Sequence, residues 1–362
     1  MAGQHKLSRR QFIGATGAAA GAAALSSLGP LAPAALAKQR LIPDGKIGTI
    51  LFTQRDAISR DPTTSDLASG FREVLGFLAG IGFKQIEFAG YRQHANAEGG
   101  ANLENVAGAT LLRQWLDDNA LVANGNHGFI PPSWPLTQAD IDRFKGVLEL
   151  ANTLGMAHIG TGNDPTGSAY KADWDVAAEK WNALGAIAAA EGLKLYTHNH
   201  DAAYNFLLDS PPLDDLGRPT RSSGIRRLEY FFGISDPKLV WFELDIWAHV
   251  AQHRWISYTA PDGSTVFDTF DPTATVAART HRFPLFHAKD GVRTAEPPGV
   301  GQGYTMVPFG RGDIDFASFF STIGQKGYHI PNYEQDNAPS WPDRGSLGAS
   351  EISVANMKAL TG

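Results

Sequence analysis

Four runs of the chain each carry a side chain able to hold a metal ion. They are Leu193–His200, Leu239–Asp245, Phe283–Asp290 and Tyr328–Asp336, bearing His198, Asp245, His287 and Glu334. Apolar, aromatic-rich runs of this length read as buried strands, so the four residues fall at or near successive strand ends. Two imidazoles and two carboxylates suit a divalent ion such as Mn²⁺, Zn²⁺, Mg²⁺ or Co²⁺. Such an ion, chelated by a carbonyl and a neighbouring hydroxyl, stabilises the enediolate left when the adjacent C–H loses its proton. A carboxylate or imidazole within hydrogen-bond reach takes that proton. His200 lies on the same side of its strand as His198, so either imidazole can be the ligand and the other a catalytic group.

Three further groups fit that chemistry, each with a structural reading beside it. Lys289 can stabilise an oxyanion or simply pair with Asp290. Glu87 ends an earlier strand and can bind substrate hydroxyls, serve as a second base, or hold a loop. His127 follows another strand and either meets a substrate oxygen or is a satisfied rim histidine. His249, four residues after Asp245, reaches an ion only if that segment is helical, and reads better as a surface side chain. Trp134, Trp247, Tyr91 and Tyr204 can stack on a substrate ring, but aromatics at such places are as often packing. Gly301, Gly303, Gly310 and Gly312 sit in no strand-to-helix phosphate motif and read as turns, so no nucleotide cofactor is expected.

The elements that position these groups alternate along the chain. Strands are expected at Gly48–Phe52, Phe83–Phe88, Val122–His127 and Ala157–Gly160 before the four runs above. Helices are expected from Ser65–Asp66 to Gly80–Gly82, then over Leu111–Leu121, Ala139–Leu154 and Trp174–Glu191. Further helices are expected near Pro272–Thr280, Phe316–Gly327 and Ile352–Leu360. Ser210–Ser223 reads as a surface loop, and Thr259–Phe270 and Thr294–Pro308 as further insertions placed just after rim residues. Eight strands separated by helices argue for one α/β domain, a (β/α)8 barrel whose catalytic groups gather on the C-terminal rim. The insertions then wall or cover the mouth.

Residues 1–37 stand outside that domain, which spans 38–362. Ser8–Ile13 has a twin-arginine pattern at Arg9 and Arg10, followed by a short Ala/Gly-rich apolar run and a small-residue cleavage site at Ala35–Ala37. Periplasmic or secreted localisation follows, with no membrane contact after cleavage. The chain has no cysteine, so neither a disulfide framework nor thiolate chemistry enters. Removing residues 1–37 deletes Lys6, Arg9 and Arg10 and no acid, taking the net charge from −6 to −9. So acidic a surface offers no footprint for nucleic acid or anionic lipid, and favours a small, neutral substrate. The oligomeric state is open, a homo-oligomer included.

The text Gly82–Tyr91, Tyr196–Asp201, Phe242–Trp247, Phe286–Asp290, Gly310–Phe316 and Tyr333–Asp336 resembles the xylose isomerase-like TIM barrels, the sugar phosphate isomerase/epimerase family. The resemblance covers most of residues 46–360 in order. It implies a sugar or glycoside substrate and an ion held after strands five to eight by Glu, Asp, His and Glu. It also implies that the last of these, Glu334, is both ligand and base. One departure stands out: the fifth-strand Glu is His198 here. Relatives that epimerise use the fifth- and eighth-strand glutamates on opposite faces of the sugar. One carboxylate plus an imidazole suits isomerisation or elimination instead, the latter as a dehydratase or a 3-keto-glycoside-cleaving lyase. A barrel that binds sugar without turnover is the rival from a different class.

Overall fold

The computed structural model describes residues 39–294, 303–324 and 329–362. The expected leader over residues 1–37, Gly301 and Tyr328 lie outside the described residues. Eight strands carry the fold: β1 (Gly48–Ile50), β2 (Gln85–Phe88), β3 (Val122–Asn126), β4 (His158–Thr161), β5 (Lys194–Thr197), β6 (Val240–Asp245), β7 (Leu285–Ala288) and β8 (Ile330–Tyr333). They form one sheet in the order β3-β2-β1-β8-β7-β6-β5-β4, with parallel pairing throughout. A parallel bridge between His127 and Gly160, with Gly128 N donating to Gly160 O at 2.8 Å, brings the two edges together. The result is the expected (β/α)8 barrel.

A helix follows every strand: α1 (Gly70–Ile81), α2 (Val106–Asp118), α3 (Gln138–Thr153), α4 (Lys171–Ala190), α5 (Arg227–Ile234), α6 (Pro272–Ala277), α7 (Phe316–Ile323) and α8 (Ser346–Ala359). Local chemistry sets their ends. Thr137 and Asp140 form a reciprocal capping box at the start of α3, and Gly82, at φ 115°, ends α1 in a conformation that favours glycine. Three starts differ from the expectation by more than a turn of helix. α1 begins at Gly70, not Ser65, because the chain turns through Gly70 at φ 74° and Gln93 Oε1 accepts from Phe71 N. α2 begins at Val106, not Leu111, because the Asn105 side chain accepts from Gly108 N at 2.9 Å. α8 begins at Ser346, not Ile352, since Ser346, Ser350 and Ser353 are buried and two of their hydroxyls bond back to helical carbonyls.

Two expected surface loops are hairpins. Ser210–Leu213 pairs with Pro219–Arg221, and Ser257–Thr259 pairs with Thr265–Phe267. After β7, Asp290–Arg293 pairs with Tyr304–Val307. All three follow the carboxyl ends of their barrel strands, as the insertion reading required.

Alternation along the strands sorts the interior. On β6, Val240, Phe242 and Leu244 join the apolar layer beneath the helices, whereas Trp241, Glu243 and Asp245 are on the opposite face. Tyr196, Leu285 and Ile330, with Trp241 packed on them, form a separate apolar cluster inside the barrel. Two residues further along β7 and β8 stand His287 and Asn332, and two further again Lys289 and Glu334. The barrel therefore grades from apolar to polar to charged toward its rim.

Candidate active site

Of the four residues expected to hold an ion, His198, Asp245 and Glu334 form one compact donor group, and His287 stands beside it through Glu334. His287 Nδ1 lies 2.7 Å from Glu334 Oε2, and His198 Nε2 lies 3.7 Å from Asp245 Oδ2. His198, Asp245 and Glu334 offer ligand atoms that all lie within 4.8 Å of one another. Each is held by its strand end. His198 follows β5, Asp245 ends β6 and its Oδ1 accepts from Trp247 N at 2.8 Å, and Glu334 follows β8. Of the two candidate imidazoles, His198 faces inward; the His200 ring meets it edge-on at 5.2 Å and stands at the mouth.

Lys289 Nζ lies 2.7 Å from Glu334 Oε2, 3.0 Å from Asp245 Oδ2 and 3.3 Å from Asp336 Oδ2. It does not pair with Asp290, as one reading of the sequence had it. The Asp290 carboxylate instead accepts from the backbone of Gly291, Gly310 and Gly312, tying down the following glycine-rich turn. Glu87 sits deeper than a group touching substrate would. It is fully buried, accepts from Tyr196 Oη and from Asn332 Nδ2 at 2.9 Å, and lies 2.9 Å from His287 Nε2. His127 borders the mouth, and its Nε2 lies 2.8 Å from Glu243 Oε2. Gly162 leaves room for that ring, since a Cβ there would stand 2.5 Å from His127 Nδ1.

The side chains of His249 and of the four aromatics that could have stacked on a substrate stay apart from this cluster, and His249 is half-buried, not the surface side chain expected. His249 Nδ1 bonds to Ile246 O and its ring meets Phe319. Tyr91, Trp247 and Tyr204 are buried packing, and Trp134 Nε1 donates to Glu179. None of the four borders the mouth.

The charges compensate one another. Burial and His287 depress the His198 imidazole, but the facing carboxylates of Asp245 and Glu243 carry it up to about 9. Burial opposes the charge on His287 and Lys289, yet Glu243 foremost for the first and Asp245 for the second hold both well above their ordinary values. Burial raises the Glu334 carboxyl; His287 and then Lys289 outweigh it and keep it well below the usual range. Glu87 is raised, by burial and then by Glu243.

A cavity of about 400 Å³ opens onto the cluster, bordered by His127, His198, His200, Lys289, Glu334 and Asp336. Phe52, Arg55, Gly162 and Asn163 complete it. Sequence reasoning passed over Arg55, Asp336 and Glu243. Glu243 had a readable signal, standing two residues before Asp245 on the same face of its strand.

The donor set fits a divalent ion. Two ligands about 2.1 Å from one ion at a tetrahedral angle lie about 3.4 Å apart. The 3.7 Å gap between His198 Nε2 and Asp245 Oδ2 is close to that, and too wide for a hydrogen bond. Asp245 Oδ2 is buried and accepts no aligned hydrogen bond; its contact with Lys289 is an ion pair only. Asp336 leaves Lys289 a partner when an ion takes the other carboxylates.

The fold is a (β/α)8 barrel with imidazoles, carboxylates and an ammonium gathered at its C-terminal rim. The chain belongs to the xylose isomerase-like TIM barrel family, whose sequence pattern matches residues 75–343. Among solved structures, a sugar phosphate isomerase/epimerase from Parabacteroides distasonis is similar at 21% identity and TM-score 0.59, covering 87% of this chain and 94% of its own. The probable 3-DHS dehydratase AsbF from Bacillus anthracis is similar at 14% identity and TM-score 0.56, over 88% of this chain and 99% of that one. A xylose isomerase-like TIM barrel protein from Mycobacterium smegmatis, in complex with magnesium, is similar at 13% identity and TM-score 0.51, over 87% of this chain and 96% of that one. At these identities the likeness speaks for the fold. No protein of curated function matches the sequence.

Proposed function

We propose that this protein is a divalent-metal-dependent enzyme, exported by the twin-arginine route, that isomerises or epimerises a sugar or glycoside by removing a proton next to a carbonyl. The observation that carries this reading is the convergence of Glu334, Lys289, His198 and His200 on one cavity at the barrel mouth. His198, Asp245, His287 and Glu334 would hold the ion. A divalent ion there polarises a carbonyl and stabilises negative charge developing on its oxygen.

The chain's own groups do the rest. Glu334, kept ionised beside His287 and Lys289, takes the proton from the carbon next to the carbonyl. Lys289 offers a buried ammonium beside that carboxylate to balance charge on the substrate oxygen. His200, across the mouth, returns or accepts the second proton. His127 and Arg55 border the cavity where hydroxyl groups would be fixed.

One observation favours a second reading, elimination from the same enediolate by a dehydratase or 3-keto-glycoside lyase. Among the described residues Glu334 is the one glutamate bordering the cavity, and imidazoles stand on the β5 side where a second carboxylate would serve epimerisation. The name of the AsbF relative is in keeping with that chemistry.

The test incubates wild type and Glu334→Gln with ketoses, aldoses and 3-keto-glucosides in deuterated solvent, following exchange at the α-carbon and any loss of water or aglycone. Wild-type exchange and its loss in Glu334→Gln with the ion retained support the reading. Binding of a sugar by metal-free protein as tightly as by loaded protein, with no exchange, would make it a sugar-binding barrel.

A further inference from the structure

The proposed ion seat leaves the buried carboxylate of Glu243 without a task. Glu243 is 0% exposed, and its Oε2 lies 2.8 Å from His127 Nε2 and 3.2 Å from both His198 Nδ1 and His287 Nε2. Its Oε1 has no hydrogen-bond partner. Three ring nitrogens thus converge on a single carboxylate oxygen. A neutral imidazole carries one proton, so a proton on the nitrogen facing Glu243 leaves the lone pair on the other. For His198 that other nitrogen is Nε2, which faces Asp245; for His287 it is Nδ1, which faces Glu334.

We infer that Glu243 is a positioning residue: it accepts from Nδ1–H of His198 and, 3.2 Å from His287 Nε2, holds that ring's proton inward together with Glu87 at 2.9 Å, and so fixes the ring orientations and tautomers that present the opposite nitrogens to the ion. This rests on the ion seat proposed above. A carboxylate behind a ligating histidine sets its tautomer and raises its basicity. Here Glu243 does this for His198 and shares His287 with Glu87, and it is buried on β6 just below the ligand Asp245.

The same atoms admit one other use. His127, His198, Glu243 and His287 offer donors within 4.8 Å of one another and could themselves surround an ion. That ion would take the inward nitrogens, leaving the outward ones protonated against Asp245 and Glu334. Filling both seats would strip His198 and His287 of every ring proton. Neither Glu243 nor His287 borders the cavity, so an inner ion would be the less accessible to substrate.

The test uses the full chain loaded with Zn²⁺ or Co²⁺. Long-range ¹H–¹⁵N spectra of the zinc protein should show protons on His198 Nδ1 and His287 Nε2; the opposite tautomers overturn the inference. Glu243→Gln should weaken Co²⁺ binding about 10–100-fold without changing the type of visible spectrum, and Glu243→Asp should recover part of the loss. Affinity within twofold of wild type in Glu243→Gln sinks the inference alone. Loss of Co²⁺ in Glu243→Gln with retention in Asp245→Asn assigns the ion to the inner group and sinks it too. A wild-type chain that takes up no divalent ion sinks the ion seat itself, and the inference with it. Should Glu243→Gln fail to fold, the wild-type spectrum decides.

Discussion

His287 Nδ1 and Glu334 Oε2 stand 2.7 Å apart, one beside the other across neighbouring strands β7 and β8. The opposite nitrogen of the same ring, Nε2, lies 2.9 Å from Glu87 and 3.2 Å from Glu243. A single imidazole therefore joins the polar barrel interior to the charged rim.

Asp245→Asn and His287→Ala should each abolish tight binding of a divalent ion while the barrel stays folded. The ligands sit on the rim, and barrel stability comes from the packed layers below. Metal content by elemental analysis, with circular dichroism for folding, checks this. Full occupancy in both variants would exclude these ligands.

Glu334→Gln should keep the ion, through its remaining amide oxygen, and lose α-proton exchange by a factor on the order of 10²–10⁴. Exchange at the wild-type rate would place the base elsewhere.

Much of this was legible in the sequence for one physical reason: period-two alternation. Strand ends at His198, Asp245, His287 and Glu334 could be read from the apolar runs that precede them, and the barrel from their number and spacing. What escaped was tertiary. Glu243 looked like part of a buried strand, and only its register beside β7 shows it beneath three imidazoles. Glu87 looked like a rim group because it nears the end of β2, whereas Asn332 and Tyr196 take up its oxygens inside the barrel. The early start of α8 was masked by serines whose hydroxyls are satisfied within the helix.

Ion binding should strengthen as pH rises from 6 toward 9. His198 is raised to about 9 and His287 well above its ordinary value, so across this range both rings hold a proton that the ion must displace. Affinity should gain about tenfold per pH unit for each proton released. Calorimetry in buffers of different ionisation enthalpy counts the protons; release of none would contradict the protonated rings.

Stability of the folded chain should fall as pH drops from 6.5 toward 4. His158 is buried, its Nδ1 is 2.9 Å from Asn124 O, and burial depresses its imidazole to about 4. Between the two values the unfolded chain binds a proton that the folded chain refuses, so the contribution is complete above 6.5 and lost on descending through 4. It is on the order of 3 kcal/mol. Denaturant unfolding of wild type and His158→Gln checks this, with a flatter pH dependence expected in the variant.

Export should fail when Arg9 and Arg10 are both changed to Lys, and the exported chain should begin near Lys38. N-terminal sequencing and fractionation check this. A periplasmic signal that survives the double change would exclude the twin-arginine reading.

The most direct measurement is anomalous diffraction from crystals of the folded chain, with elemental analysis of the same preparation. A single divalent ion among His198 Nε2, Asp245, His287 Nδ1 and Glu334 is the expected result. A chain that carries no such ion, or one whose ion lies among His127, Glu243 and the inward nitrogens of His198 and His287, would contradict it.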